Sequence, residues 1–147
     1  MSILAIDLGG TQIKSGLVSD DFQIQATFAS LSSPDNLPDC LVLLDGLIQP
    51  VRSQISGIAI SAPGTIDTDQ SIIYYGGTLP FLHEFMVRDY FSKTYGLPAT
   101  ALNDGKAAVL AELATGNLQG CQNAAALVLG TGLGGGLVLN GQLYQGS

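Results

Sequence analysis

Residues 3–18 read ILAIDLGGTQIKSGLV. The apolar run from Ile3 to Leu8 and the alternating run from Ile13 to Val18 are typical of short strands, and the glycines between them are typical of a tight turn. A third alternating run, Phe22 to Phe28, follows the turn formed by Ser19, Asp20 and Asp21. The sequence therefore predicts an antiparallel meander at the start of the chain.

After the meander, helical and strand-like segments alternate. The apolar spacing favours helices over residues 37–54, 84–95 and 105–115, and short apolar runs favour strands over residues 57–61, 72–75 and 99–102. This alternation is typical of α/β proteins with parallel strand pairing. We therefore predict an α/β fold with a mixed sheet, in which the antiparallel meander is followed by parallel strands with helices.

A second glycine-rich hairpin pattern repeats the first one 120 residues later. Gly130-Thr131 corresponds to Gly10-Thr11, and residues 136–138 correspond to residues 16–18. Self-similarity at this distance is typical of a duplicated lobe, although two unrelated glycine hairpins would also look alike. We predict a first lobe over residues 1–118 and the opening hairpin of a truncated second lobe over residues 119–147.

Composition limits the classes of function. Of 147 residues, 46% are hydrophobic and 12% are charged, which is enough apolar material for a sizeable core. The formal net charge of -7 leaves no basic surface for a nucleic-acid backbone, and no apolar run approaches the roughly 20 residues of a membrane span. The start of the chain lacks the features of a signal peptide. We expect a globular, cytoplasmic protein that binds neither nucleic acid nor membranes.

The cysteines and the single histidine do not predict a metal site. Cys40 and Cys121 match neither a disulfide framework nor the paired spacing of zinc ligands, so we expect buried, reduced thiols. His83 lies near the start of a predicted helix, where a surface or capping role is expected.

The first motif that could carry chemistry is the glycine turn after the first strand. Asp7 ends an apolar strand, and Gly9, Gly10 and Thr11 follow it. A turn without side chains lets backbone amides approach a phosphate, and the Thr11 hydroxyl adds a donor. An ordinary hairpin turn with an exposed Asp7 is the alternative. A carboxylate that ends an apolar strand beside two glycines favours a ligand site.

The second motif, GTGLGG over residues 130–135, fits the dinucleotide fingerprint G-x-G-x-x-G. That fingerprint requires a helix after its glycines, whereas Gly136 to Leu139 is strand-like and ends at the turn Asn140-Gly141. We therefore expect a turn between antiparallel strands, which would hold phosphate with backbone amides and Thr131.

The third motif is Asn103-Asp104, between a predicted strand and a predicted helix. Ligands bind at such positions in open α/β sheets, but Asn and Asp are also favoured helix N-caps, and the sequence alone does not separate these two explanations. Two glycine turns and a carboxylate are the minimum equipment for transferring a phosphoryl group to a hydroxyl.

In their order along the chain, these motifs resemble the ROK family of sugar kinases and related regulators, within the actin-like ATPase (ribonuclease H-like) fold. The resemblance covers nearly the whole chain, and the segments that carry it are residues 6–11, 61–64, 102–104 and 129–136. It implies that Asp104 is the general base and that Asn103 binds sugar hydroxyls. Gly64 and Thr78 would lie on the sugar side, and Thr78 stands where the family commonly has Asn.

The same resemblance implies ATP and magnesium as cofactors. Asp7 would act on magnesium through a bound water, and the residues implied at the ATP phosphates are Gly9, Gly10, Thr11, Gly130, Thr131 and Gly132. The implied activity is ATP-dependent phosphorylation of a hexose hydroxyl, and we expect a homo-oligomer.

A sugar-sensing regulator of the same family, here without its DNA-binding module, is the alternative function. The family's zinc motif, its adenine pocket and its later sugar-binding residues would lie beyond Ser147, so the zinc site is not present in this chain. We accordingly expect the isolated chain to be inactive as a kinase.

Overall fold

The computed structural model describes residues 1–130 and 132–146, and the chain forms two compact units, Met1–Leu102 and Asn103–Ser147. The predicted boundary between residues 118 and 119 concerns the lobes of the complete protein and stays a prediction. Among the described residues, no helix has both the length and the apolar character that a membrane span requires.

The first unit is built on a mixed sheet. Its strands are β1 (Ser2–Leu8), β2 (Gln12–Val18), β3 (Ile24–Thr27), β4 (Leu31–Ser32), β5 (Ile55–Ala62) and β9 (Ala99–Asn103). The strand order is β3-β2-β1-β5-β9, and β4 also pairs with β2. β2 runs antiparallel to β1 and β3, whereas β5 runs parallel to β1. The predicted mixed sheet is confirmed.

Alternation along β1 separates the core from the site. Leu4, Ile6 and Leu8 are buried and belong to the main hydrophobic cluster together with Cys40 and Leu44 of α1 (Leu37–Ile48). Because side chains alternate across a strand, Asp7 lies on the opposite face of the sheet, where it is half-buried. The pattern that forms the core therefore also places the carboxylate.

α1 is shorter than predicted. The Asn36 side chain caps it by accepting a hydrogen bond from the Asp39 amide at 2.9 Å. The helix ends at Ile48 and passes into a 3-10 turn over Gln49–Val51, so the prediction of a helix to residue 54 is wrong. Pro50 explains the difference, because its ring lacks the amide hydrogen that a continuing α-helix needs.

A small second sheet within the first unit contains the strand predicted over residues 72–75, which is confirmed, and two strands that the sequence did not predict. It is formed by β6 (Thr65–Asp67), β7 (Ile72–Tyr75) and β8 (Phe85–Met86). The helix predicted over 84–95 begins only at Val87, because Glu84 has a φ of 58° and the next two residues form β8. This helix, α2 (Val87–Tyr95), ends at Gly96 in the left-handed conformation.

Phe22 has a φ of 62° and lies in the turn before β3, which corrects the start of that strand.

The second unit packs one helix on an antiparallel sheet. It contains α3 (Asp104–Thr115), β10 (Ala124–Leu129), β11 (Leu133–Leu139) and β12 (Gln142–Leu143). Val109 of α3 and Val138 of β11 are fully buried between helix and sheet. Strand pairing in the first hairpin reaches Leu8 and Ile13, and in the second hairpin it reaches Leu129 and Leu133.

Candidate functional site

Asp7 and Ser61 meet at the ends of two parallel strands. They are register partners on β1 and β5, and the Ser61 hydroxyl donates a hydrogen bond to Asp7 Oδ1 at 2.9 Å. Parallel strands end at the same edge of a sheet, which brings these side chains together although 54 positions separate them in the chain. The contact fixes one carboxylate oxygen of Asp7 at the start of the glycine turn. The sequence analysis placed Ser61 at the end of the strand predicted over residues 57–61 and assigned no role to its side chain.

The first glycine turn is held in shape by hydrogen bonds to its backbone. The Gly9 amide donates to the Gln12 carbonyl at 3.1 Å across the turn. Ser33 donates its hydroxyl to the Gly9 carbonyl at 2.6 Å and its amide to the Thr11 carbonyl at 3.1 Å. Gly10 and Thr11 form the exposed tip. Two carbonyls of the turn are thus engaged by Ser33, a residue that no sequence motif indicated.

Thr78 packs directly against this turn. A Cβ on Gly10 would lie 2.5 Å from Thr78 Oγ1 and 2.9 Å from Thr78 Cβ, which is closer than real Cβ contacts. Residue 10 therefore has to be glycine while Thr78 occupies this position. The structure thereby brings together two residues that the sequence assigned to different substrates, ATP and sugar.

The Gly64 turn is packed against the same loop. Gly64 has a φ of 95°, and a Cβ there would lie 1.6 Å from the Tyr75 carbonyl oxygen and 2.8 Å from the Gly77 amide nitrogen. Only glycine fits this close approach of two backbone segments. Gly10, Gly64 and Thr78 thus lie along one connected set of loops in the first unit.

In the second unit, Asn103 and Asp104 form the start of α3. Asn103 Oδ1 accepts a hydrogen bond from the Lys106 amide at 3.2 Å, which is the N-cap geometry that the sequence left as one alternative. Asp104 is exposed, and its Oδ1 accepts a hydrogen bond from the Gly105 amide at 2.7 Å.

The glycine run 130–136 serves two purposes in the second unit. The Gly130 amide donates to the Gly132 carbonyl at 2.9 Å and closes an exposed turn, whereas Gly134 and Gly135 lie in β11. A Cβ on Gly105 would lie 2.3 Å from the Gly135 amide nitrogen, so helix and strand are in backbone contact. Gly136 also lies close to α3, because its Cβ would lie 3.0 Å from Val109 Cγ2.

A strand follows this glycine turn, which confirms that the segment is not a dinucleotide-binding fingerprint. Thr131, which we predicted at the ATP phosphates, lies outside the described residues. Asp104 is brought close to the glycine strand, since its Oδ1 lies 3.9 Å from where a Cβ of Gly134 would be.

The cysteines and the histidine are placed in different surroundings. Cys40 is buried, and burial raises the pKa of its thiol to about 11. Cys121 is only half-buried, which corrects the prediction for that residue. His83 follows a short 3-10 turn over Pro80–Leu82 and lies on the surface. Over residues 1–130 and 132–146, no three His, Cys, Asp or Glu side chains cluster closely enough to hold a metal ion.

Comparisons with known proteins agree on one family. The model of the ROK family matches residues 3–147. A β-glucoside kinase of Listeria monocytogenes is 33% identical over 147 residues, which is 99% of this chain and 49% of that protein. The chain spans about half the length of the relatives it matches.

Solved structures show the same relationship. A ROK family glucokinase from Streptomyces griseus, in complex with glucose and AMPPNP, superimposes with a TM-score of 0.89 at 25% identity, over 100% of this chain and 47% of that one. A ROK family protein from Streptococcus pneumoniae, in complex with sucrose, gives a TM-score of 0.83 at 36% identity, over 99% and 48%. The chain therefore belongs to the ROK family and has the actin-like ATPase fold of that family's glucokinases.

Proposed function

We propose that this protein transfers the terminal phosphoryl group of ATP to a hydroxyl of a hexose or hexoside. The observation that carries the proposal is the exposed Asp104 carboxylate at the start of α3, beside the glycine strand of a ROK family chain. A β-glucoside kinase among the relatives, and a structural neighbour in complex with glucose and AMPPNP, support a sugar acceptor and ATP as donor.

Asp104 acts as the general base in this proposal. The Gly105 amide occupies Oδ1, and Oδ2 accepts no hydrogen bond from any described residue. Oδ2 takes the proton of the sugar hydroxyl while the sugar oxygen bonds to the γ-phosphorus, and the bond from that phosphorus to the leaving ADP breaks. The transition state of phosphoryl transfer is loose, so a well-positioned weak base is sufficient.

The glycine turns bind phosphate in this proposal. Gly10 and Thr11 offer backbone amides and a hydroxyl at the exposed tip of the turn, and Gly9 helps to fix the shape of the turn through its contacts with Gln12 and Ser33. The residues assigned in the second turn are Gly130, Thr131 and Gly132. Helix-free turns of this kind bind anions through successive amides.

Asp7 fits a role toward magnesium. Ser61 engages its Oδ1, and the carboxylate presents oxygen, the donor atom that magnesium prefers, at the edge of the turn. A single carboxylate is typical of a magnesium ion that keeps its waters and binds substrate phosphates. When bound, the ion would neutralise charge on the transferred phosphoryl group.

Asn103, Gly64 and Thr78 are assigned to the sugar. Asn103 combines this role with the N-cap of α3, because its Oδ1 holds the helix while an amide side chain also carries two donors. The Gly64 turn and Thr78 belong to the connected loops of the first unit. The protein would work in the cytoplasm as a homo-oligomer, and the 147-residue chain alone would not turn over.

The test is ADP release from this sequence extended to the full length of its relatives, measured with a panel of hexoses and β-glucosides. Asp104→Asn should lower kcat by about 10²- to 10⁴-fold and leave the sugar KM within about twofold. Asp89→Asn, an equal change at an exposed residue of α2, should have no effect. Full turnover in Asp104→Asn, or no sugar-stimulated turnover at all, would refute the proposal. Sequence-specific operator binding would instead favour the regulator, which the comparisons support less.

A further inference from the structure

An exposed aromatic pair lies at the end of β7. The rings of Tyr75 and His83 stack with centroids 5.2 Å apart and an interplanar angle of 23°. Tyr75 is 67% exposed and the His83 side chain is 50% exposed. Two stacked rings that remain in solvent contribute little to the core, and they present an apolar face with polar edges to any ligand nearby.

Local contacts fix this aromatic pair. His83 Nδ1 is hydrogen-bonded to the Tyr74 carbonyl oxygen, which orients the ring. The His83 amide donates to the Pro80 carbonyl at 3.2 Å, and Glu84 turns the chain away with a φ of 58°. Tyr75 is held in β7 by pairing with Thr65. The aromatic pair is therefore a preorganised surface.

The aromatic pair adjoins the loops assigned to the sugar. The Tyr75 carbonyl oxygen is the atom that packs against Gly64, and the loop from Tyr75 leads directly to Thr78. The Leu79 amide donates to the Gly76 carbonyl at 2.8 Å, which keeps this loop short and folded. The aromatic pair and the loops assigned to the sugar are therefore neighbours in the first unit.

We propose that Tyr75 and His83 bind the second ring of a hexoside, the ring attached to the anomeric oxygen of the hexose that is phosphorylated. A sugar ring combines an apolar C–H face with hydroxyls at its rim, and an exposed aromatic ring combines an apolar face with a polar edge, so the two surfaces match. This inference rests on the proposed function and assigns its substrate class, a glycoside with a cyclic aglycone.

The experiment uses the proton NMR spectrum of the 147-residue chain. His83 is the only histidine, so its imidazole protons give a single set of signals, and stacking on Tyr75 makes them sensitive to any ligand on these rings. The chain is titrated with glucose, methyl β-glucoside and cellobiose. Cellobiose should shift the His83 signals and bind about three- to tenfold more tightly than the two single-ring sugars, which should leave those signals in place.

Variants separate the aromatic pair from the sugar loops. Tyr75→Ala should remove the preference for cellobiose and keep the affinity for glucose, whereas Tyr75→Phe, which keeps the ring, should retain the preference. Tyr144→Ala removes an exposed tyrosine from the second unit and should change nothing. His83→Ala provides an independent test of the same preference if Tyr75→Ala does not fold.

The outcomes distinguish this inference from the proposed function. Glucose binding with no gain for cellobiose, or an equal loss for both sugars in Tyr75→Ala, overturns the inference and leaves the kinase proposal standing. Binding of no sugar by the 147-residue chain overturns the inference, and the absence of sugar-stimulated ADP release by the full-length protein overturns both.

Discussion

The side chain of Thr78 occupies the space in which a β-carbon of Gly10 would lie, with Oγ1 2.5 Å and Cβ 2.9 Å from that position. Gly10 and Thr78, which are 68 positions apart in the sequence, are therefore complementary in size: the side chain of Thr78 fits because residue 10 has none. The loop before the second 3-10 turn thus packs against the glycine turn, and this contact joins the proposed phosphate and sugar sites of the first unit.

Gly10→Ala should accordingly destabilise the first unit by about 1–3 kcal/mol, because the added methyl group overpacks against Thr78. Combining it with Thr78→Gly removes both clashing atoms and should recover most of the loss, despite the flexibility cost of the new glycine. Urea unfolding followed by circular dichroism measures the double-mutant cycle. Gly132→Ala, with no atom within 4 Å of its added Cβ, is the control and should cost less than about 1 kcal/mol. Strict additivity of the two changes would contradict the contact.

Much of the fold was predictable because it depends on local patterns. Alternation in β1 and β2, the glycine turn between them and the cap at Asn36 are all encoded within a few residues. The strands β4, β6 and β8 have only two or three residues, so no periodicity could indicate them. These strands form because they pair with strands elsewhere in the chain.

The residues of the candidate site were assigned from motifs and stay predictions, whereas their contacts could not be predicted from the sequence. Motif spacing located Asp7, Asn103 and Asp104, but Ser33 engages the glycine turn from 24 positions away and carries no motif. The phosphate assignment in the glycine run covers only Gly130, Thr131 and Gly132. The structure uses Gly134 and Gly136 to bring α3 against β11, a contact that the sequence did not predict.

The backbone contact between Gly105 and Gly135 predicts opposite effects for two Gly→Ala changes in helices. Gly105→Ala should destabilise the second unit by about 1–3 kcal/mol, because its Cβ would lie 2.3 Å from a backbone nitrogen that cannot rotate away. Gly46→Ala in α1 has no atom within 4 Å and should stabilise by about 0.5–1 kcal/mol through helix propensity. Chemical denaturation measures the change in the free energy of unfolding for each of the two variants. A neutral Gly105→Ala would show that helix and strand are not in contact.

Cys40 should be protected from thiol reagents in the folded chain. With a pKa raised from 9.0 to about 11 by burial, about 0.1% of this thiol is ionised at pH 8. Because the pKa of Cys40 is higher in the folded chain than in the unfolded chain, its contribution to the free energy of unfolding is fully present below pH 9. This contribution is lost as the pH rises towards 11.

At pH 8 we expect one thiol, Cys121, to react with a colourimetric disulfide reagent, and Cys40 to react only in denaturant. Cys121→Ser should abolish the fast phase. Rapid reaction of two thiols in the native chain would contradict the burial of Cys40.

The outer face of the second hairpin predicts self-association of the 147-residue chain. Leu129 pairs with Leu133 across the strands, and these side chains are 84% and 73% exposed on the face turned away from α3, with Leu127 at 76% beside them. A contiguous apolar face of this kind favours association with another chain. Replacing Leu129 and Leu133 by Lys should lower the average mass measured by light scattering, because burying two charges opposes the contact. Val42→Lys removes a side chain of similar exposure, 73%, from α1 and should leave the mass unchanged. A monomeric parent chain at millimolar concentration, or an equal effect of Val42→Lys, would show that this face does not mediate association.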